Sequence, residues 1–161
     1  IPEDFLPFLD DLDPDRRFHG YLPQGPTHMS EGRYEWDGGE DVLAEWLDGI
    51  PYEPARIVLA GWSQGTRHAY GLALGAGRPR PAGMVALGGW MPDELDLSGT
   101  LPPFAIAHGT EDQSVPVAAA RLARDRLESA GADVLYRETA IGHEIDHAVL
   151  PDLQRFLAGL P

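Results

Sequence analysis

Cysteine is absent from all 161 residues. Its absence excludes disulfides, thiolate zinc sites and a cysteine nucleophile together. Lysine and asparagine are absent too, so all 12 basic residues are arginine. GC-rich codon usage explains this more readily than a functional choice; an acidic, halophile-like surface is the other reading. Positive charge is scarce altogether, and the net charge of −14 argues against nucleic acid and anionic membranes as partners, since both would be repelled. No apolar run approaches the roughly 20 residues of a membrane-spanning helix. No charged-then-apolar leader opens the sequence as given. A soluble chain is expected, with cytoplasm as the default compartment. The sequence opens on Ile1 and not Met, which implies a start that was processed, trimmed or cut from something longer. The length suits a single domain over residues 1–161, burying about two thirds of its unfolded surface.

What is present is a rhythm of short apolar runs and amphipathic stretches. Pro2 to Leu12 reads as a short helix with Phe5, Leu6, Phe8 and Leu9 as its apolar residues, and Arg17 to Leu22 as a strand. Thr27 to Gly39 is a polar, glycine-rich loop carrying Tyr34 and Trp36. Asp41 to Leu47 predicts a helix with Val42, Leu43, Trp46 and Leu47 inward. Apolar runs at Arg56–Ala60, Ala82–Leu87, Phe104–Ala107 and Val134–Tyr136 predict strands. The clearest helix is Val115 to Ala130, capped by Ser114, with Ala119, Leu122, Ala123, Leu127 and Ala130 on one face. Pro151 to Leu160 closes the chain as a helix burying Leu153, Phe156 and Leu157. This alternation means an α/β fold with a doubly wound, mainly parallel sheet. Between the second and third runs, Gly88 to Pro103 is too short for a cap domain. A site on these strands should therefore be open to solvent.

The stretch Gly61-Trp62-Ser63-Gln64-Gly65 has the form of a nucleophile elbow, in which the strand enters a helix through a turn tight enough to require both glycines and to expose the serine hydroxyl. In a parallel sheet, sites gather at the carboxyl ends of strands. Two more chemistry-bearing residues follow strands: Asp112 in His108-Gly109-Thr110-Glu111-Asp112 and His143 in Ile141-Gly142-His143-Glu144-Ile145. Ser63 would be the nucleophile, His143 the base that takes its proton, Asp112 the acid that fixes the imidazole, and the backbone N–H of Gln64 an oxyanion donor. Trp36, Trp62 and Trp90 are candidate pocket walls. His108 and His147 are alternative bases, or structural histidines, and Glu111 is an alternative acid. His143-Glu144-Ile145-Asp146-His147 also fits the H-E-x-x-H zinc pattern, but that site needs one continuous helix, and Gly142 and Pro151 flank this stretch. The preferred reading has no metal and no cofactor.

These motifs together resemble the phospholipase/carboxylesterase branch of the α/β-hydrolases, which includes acyl-protein thioesterases. The elbow with Gln after Ser, Leu87-Gly88-Gly89-Trp90-Met91-Pro92, His108-Gly109 to Asp112 with Val115-Pro116, and Gly142-His143-Glu144-Ile145 are similar to that branch in order along nearly the whole chain. Pro26 and Gly32 to Asp37 resemble its pocket-forming loop. The resemblance implies a serine carboxylesterase that hydrolyses short- to medium-chain acyl esters through an acyl-enzyme. An acyl thioesterase, or a catalytically weak or inactive binding domain, is the alternative. The partner implied is a small-molecule ester. The chain departs from the branch at Thr66, commonly a further Gly, and in lacking the opening strands and the His-Gly loop that supplies a second oxyanion donor. Either another donor is recruited, or the natural beginning precedes Ile1. The expected sheet then has about five strands, with the strand near Phe18 paired directly to the one near Val58. A homodimer whose second chain covers that edge is the alternative.

Overall fold

Four of the apolar runs become parallel strands because each is followed by a helix or a long connection that carries the chain back over a sheet face. In the computed structural model, which describes residues 5–29, 34–36 and 39–161, the chain divides into two units, 1–51 and 52–161.

In the first unit, α1 (Leu6–Leu12) buries Phe8 and Leu12. A hairpin of two-residue strands follows, β1 (Thr27–His28) and β2 (Tyr34–Glu35), antiparallel with Thr27 opposite Glu35. Part of the expected loop is thus paired. Gly25 permits it, since a Cβ there would lie 2.4 Å from the Glu35 carbonyl oxygen. Helix α2 (Glu40–Asp48) has acidic Glu40 and Asp41 in its first turn, where the helix dipole favours them. It buries Leu43 and Leu47 but leaves Val42 and Trp46 exposed, contrary to the expected inward set. Pro2, Gly32 and Asp37 lie outside the described residues.

Arg17 to Leu22 is not a strand. The Phe18 N–H, which a ladder would need, donates instead to the Asp13 carboxylate at 2.8 Å. Phe18, Tyr21 and Leu22 are exposed. This local bond competes with sheet pairing, so the expected direct pairing with the Val58 strand does not form. The sheet of the second unit has four strands among the described residues, ordered β3 (Val58–Trp62), β4 (Gly83–Leu87), β5 (Phe104–Gly109) and β6 (Val134–Thr139), all parallel.

Strands β4 and β5 are buried at every residue, as expected of central strands covered on both faces. On one face, Met84, Ala86, Phe104 and Ile106 pack against Ala69, Tyr70, Ala73 and Leu74 of α3 (Gln64–Leu74) and Ala120, Ala123 and Leu127 of α4 (Ala118–Ser129). On the other face, Phe156 of α5 (Leu150–Ala158) and Leu160 reach the Cβ position of Gly83. The fold is therefore the doubly wound α/β arrangement expected. Helix α4 starts three residues later than expected, with no side-chain cap from Ser114, and it exposes Leu122. Helix α5 buries Leu153 and Leu157, while Phe156 is half-buried. No helix among the described residues is long and apolar enough to cross a membrane.

Tyr70 sits at the centre of this core, stacked on Phe104 with ring centroids 6.1 Å apart. Its hydroxyl is buried with no hydrogen-bond partner among the described residues. Burial pushes its phenol well above the ordinary value of 10. An unsatisfied buried hydroxyl costs about 1–3 kcal/mol. Tyr70→Phe keeps the ring and deletes the cost, so the expected outcome is a thermal midpoint raised by about 2–12 °C, checked by scanning calorimetry. A lowered midpoint would show that the hydroxyl is bonded.

The connection from Leu87 to Phe104 contains no helix. Arg126 from α4 donates to the carbonyls of Pro92 (2.9 Å) and Asp93 (2.9 Å). Arg80 donates to those of Ala73 (3.0 Å) and Asp96 (2.8 Å). Two guanidinium forks thus clamp the segment to the body of the unit.

Candidate active site

At the carboxyl end of β3 the chain turns into α3 through Ser63, which has φ 53° and ψ −120°. A residue with a Cβ holds such a conformation at a cost of about 1–3 kcal/mol, and only where its surroundings enforce it. Here the ends of β3 and β4 enforce it. The Ser63 N–H donates to the Leu87 carbonyl at 2.9 Å, and the Thr66 N–H to the Ser63 carbonyl at 3.0 Å. The Thr66 hydroxyl, buried beneath the turn, lies 2.8 Å from the Gly61 carbonyl and 2.9 Å from that of Leu87. The departure at position 66 therefore supplies a cross-tie that glycine lacks.

Of the two elbow glycines, only Gly61 is sterically required. A Cβ there would meet the Gly65 carbonyl oxygen at 2.4 Å, whereas one at Gly65 meets nothing within 4 Å. A third position is as tight as the first: at Gly89 a Cβ would lie 2.3 Å from the Thr66 Cβ and 2.5 Å from the Ser63 carbonyl oxygen. Gly89→Ala must push the elbow aside. Since misplacement by about 1 Å can cost about 100-fold in rate, the expected outcome is at least that loss of esterase kcat/KM. Unchanged kcat/KM would mean that the contact relaxes elsewhere.

Strand β5 leads to Asp112. Beyond Gly109 the chain folds so that Asp112 Oδ1 accepts the N–H groups of Ser114 and Val115, both at 2.8 Å. This Asx-type turn is what starts the run into α4. Oδ2 faces His143 Nδ1 at 2.7 Å. Burial raises the Asp112 carboxyl, but hydrogen bonds from His143, Val115 and Ser114 outweigh it and hold the group below its ordinary 3.8. His108 is buried beside it, with Nε2 2.8 Å from the Val115 carbonyl and 3.4 Å from Asp112 Oδ2. A carbonyl only accepts, so that nitrogen carries the proton and is committed to the loop. His108 is thus held away from the serine.

The His loop follows β6. Glu111 N–H donates to the Ile141 carbonyl at 2.9 Å, and its own side chain is exposed, so Asp112 and not Glu111 meets the imidazole. Gly109 lets β5 pass against this loop, since a Cβ there would sit 2.3 Å from the Ile141 carbonyl oxygen. His143 Nε2 then lies 2.9 Å from Ser63 Oγ. Asp112, His143 and Ser63 form one continuous chain of hydrogen bonds across three loops. Residues 143–147 do not share one helix: Asp146 is extended (φ −80°, ψ 117°), and its side chain caps the separate 3₁₀ turn His147–Val149. The zinc pattern thus lacks the helical frame it needs, and among the described residues no group of three His, Asp or Glu side chains is arranged to hold a metal ion.

Of the three tryptophans expected as pocket walls, Trp62 packs against His143, with ring centroids 5.0 Å apart and planes 33° apart. Trp90 is half-buried on the connection after β4, and Trp36 is half-buried in the first unit. Gln64 is the first residue of α3. The Thr66 tie, the Gly89 contact and the Trp62 stack were not expected from the sequence. The spacing of Asp112 before Ser114 and Val115 was the one local signal for its second role.

A model of the phospholipase/carboxylesterase family matches residues 40–160, a span that includes every residue of this hydrogen-bonded chain. The protein belongs to the phospholipase/carboxylesterase family. Within it, a relative from Emericella nidulans, acyl-protein thioesterase 1, is 31% identical over 128 residues, covering 72% of this chain and 52% of its own length. The chain thus spans about half of that relative. In fold it is similar to the carboxylesterase of Mesorhizobium loti (TM-score 0.79, 15% identity, covering 98% of this chain and 83% of that one). The Bacillus cereus carboxylesterase is also similar (TM-score 0.74, 19% identity, covering 98% and 82%). These likenesses show that this phospholipase/carboxylesterase chain has the α/β-hydrolase fold.

Proposed function

We propose that this chain is a serine carboxylesterase acting on short- to medium-chain acyl esters through an acyl-enzyme. The observation that carries the reading is the 2.9 Å and 2.7 Å pair of contacts on the two nitrogens of His143. Family membership and the elbow geometry support it.

In this reading, Ser63 Oγ attacks the ester carbonyl carbon as its proton passes to His143 Nε2. Asp112, ionised and buried, holds Nδ1–H and offsets the imidazolium charge. The Gln64 N–H, at the start of α3, meets the developing oxyanion. When the tetrahedral intermediate collapses, the C–O bond to the alcohol breaks and His143 returns the proton to the leaving oxygen. Water then repeats the sequence on the acyl-enzyme and frees Ser63. Trp90, half-buried on the connection after β4, is assigned as an acyl-pocket wall. The clamped connection after β4 favours small or accessible esters.

Acyl thioesters are the second substrate class, favoured by the likeness to the acyl-protein thioesterase of Emericella nidulans; the same serine chemistry cleaves them with a thiol as leaving group. A fluorophosphonate probe tests the central claim. One equivalent is expected on Ser63, located by peptide mass spectrometry, with none on Ser63→Ala. Absence of label from the native protein would instead support the inactive binding domain. Comparing kcat/KM for a p-nitrophenyl ester and its thioester analogue separates the two substrate classes.

A further inference from the structure

The side chain of Trp62 comes from the residue just before the nucleophile, yet it packs at a tilt against the imidazole. The two ring centroids are 5.0 Å apart, with the planes at 33°. On another side its indole Nε1 is 3.3 Å, and Cδ1 3.5 Å, from where a Cβ of Gly88 would be. Gly88 has φ +52°, so a side chain there is disfavoured by backbone as well as by space. A bare backbone on one side and the imidazole on the other hold the indole in place. His143 is 22% exposed and Asp112 is 1% exposed, so the stack shields a partly desolvated ring.

An indole face attracts a cation placed over it. We infer that Trp62 is a positioning residue: it fixes the plane in which His143 reaches both Asp112 and Ser63, and it stabilises the imidazolium formed in each half-reaction. This rests on the serine-hydrolase reading and gives Trp62 a role beyond lining a pocket. The charged and titratable groups around His143 are Asp112 on one nitrogen and Ser63 on the other. His108 and Glu111 stand behind Asp112 on the acid loop, and Glu144, Asp146 and His147 follow on the histidine's own loop. The Asp112 carboxylate favours the imidazolium, and the indole adds to it from a different side.

Two measurements test this on the intact chain. The first needs no turnover. A protonated imidazole quenches a neighbouring indole, so tryptophan emission is expected to fall as pH drops through the His143 transition. That step should vanish in both Trp62→Phe and His143→Ala while the other tryptophans remain. A titrating step that survives in Trp62→Phe, or is missing from the native protein, overturns the stack.

The second is the pH profile of ester hydrolysis. Loss of the aromatic face in Trp62→Leu makes the imidazolium less stable, so the acid limb of kcat/KM is expected to move down by about 0.4–0.7 pH unit. kcat should fall about fivefold with KM changed less than twofold, and Trp62→Phe should recover most of both effects. An unmoved acid limb, or a loss confined to KM, overturns the inference in favour of a simple pocket wall. If Ser63 takes no fluorophosphonate, the emission step still decides whether the indole senses His143, so the two claims fail separately.

Discussion

Ser63→Ala is expected to lower hydrolysis of p-nitrophenyl butyrate by about 10⁴- to 10⁶-fold in kcat, the range seen when a serine acting as one unit with its histidine is removed. The structure makes this substitution clean. Alanine keeps the Cβ, so the strained φ of 53° and the backbone ties of Ser63 to Leu87 and Thr66 are unaltered. What disappears is the hydroxyl 2.9 Å from His143 Nε2. The thermal midpoint should stay within about 6 °C of the parent, since one partly exposed hydrogen bond contributes about 0.5–1.5 kcal/mol. Equal rates in the two proteins would remove Ser63 from the mechanism.

Asp112→Asn has the second largest effect, about 10⁴-fold in kcat. Its Oδ1 would still accept the Ser114 and Val115 N–H groups now bonded at 2.8 Å, so the loop can keep its shape. The amide NH₂ then takes the place of Oδ2 and points a donor at His143 Nδ1. The imidazole must turn that nitrogen into an acceptor, which puts the proton on Nε2, where Ser63 needs a base. His108, whose Nε2–H is 3.4 Å from the same oxygen, meets a second donor as well. The loss should appear in kcat, with fluorophosphonate labelling slowed in parallel. A variant labelled at the parent rate would show that another group orients the imidazole. The carboxyl sits below its ordinary 3.8 in the parent, so it remains ionised throughout the neutral range and leaves no acid limb of its own there.

Some features were legible in the sequence because a single residue type decides them. The unbroken apolar run from Phe104 announces a central strand, and β5 is buried at every residue. Gly61, Ser63, Asp112 and His143 were legible because an elbow and two post-strand loops leave few alternatives for where such side chains fall. Features set by competition between distant groups were not. Arg17 to Leu22 has strand-like composition, but the Asp13 carboxylate takes the Phe18 N–H. Helix α4 offers two overlapping apolar stripes, and packing on the sheet chose Ala120, Ala123 and Leu127, leaving Leu122 to solvent. Trp62 read as a pocket wall because nothing in G-W-S-Q-G says that the indole turns toward a histidine 81 positions later. Gly89 carries no local mark of its contact with Thr66, which depends on how β4 meets the elbow.

Ser63 follows directly on β3, the outer strand of the described sheet, which pairs only with β4 there and exposes Ala60 at its middle. Outer strands fray more readily than inner ones. The aim of the Ser63 hydroxyl is therefore governed from one flank, by the β4 ladder and the stitches at Leu87 and Thr66. Packing changes along β4 would thus be felt at Ser63 through the Leu87 carbonyl, which faces both the Ser63 N–H and the Thr66 hydroxyl.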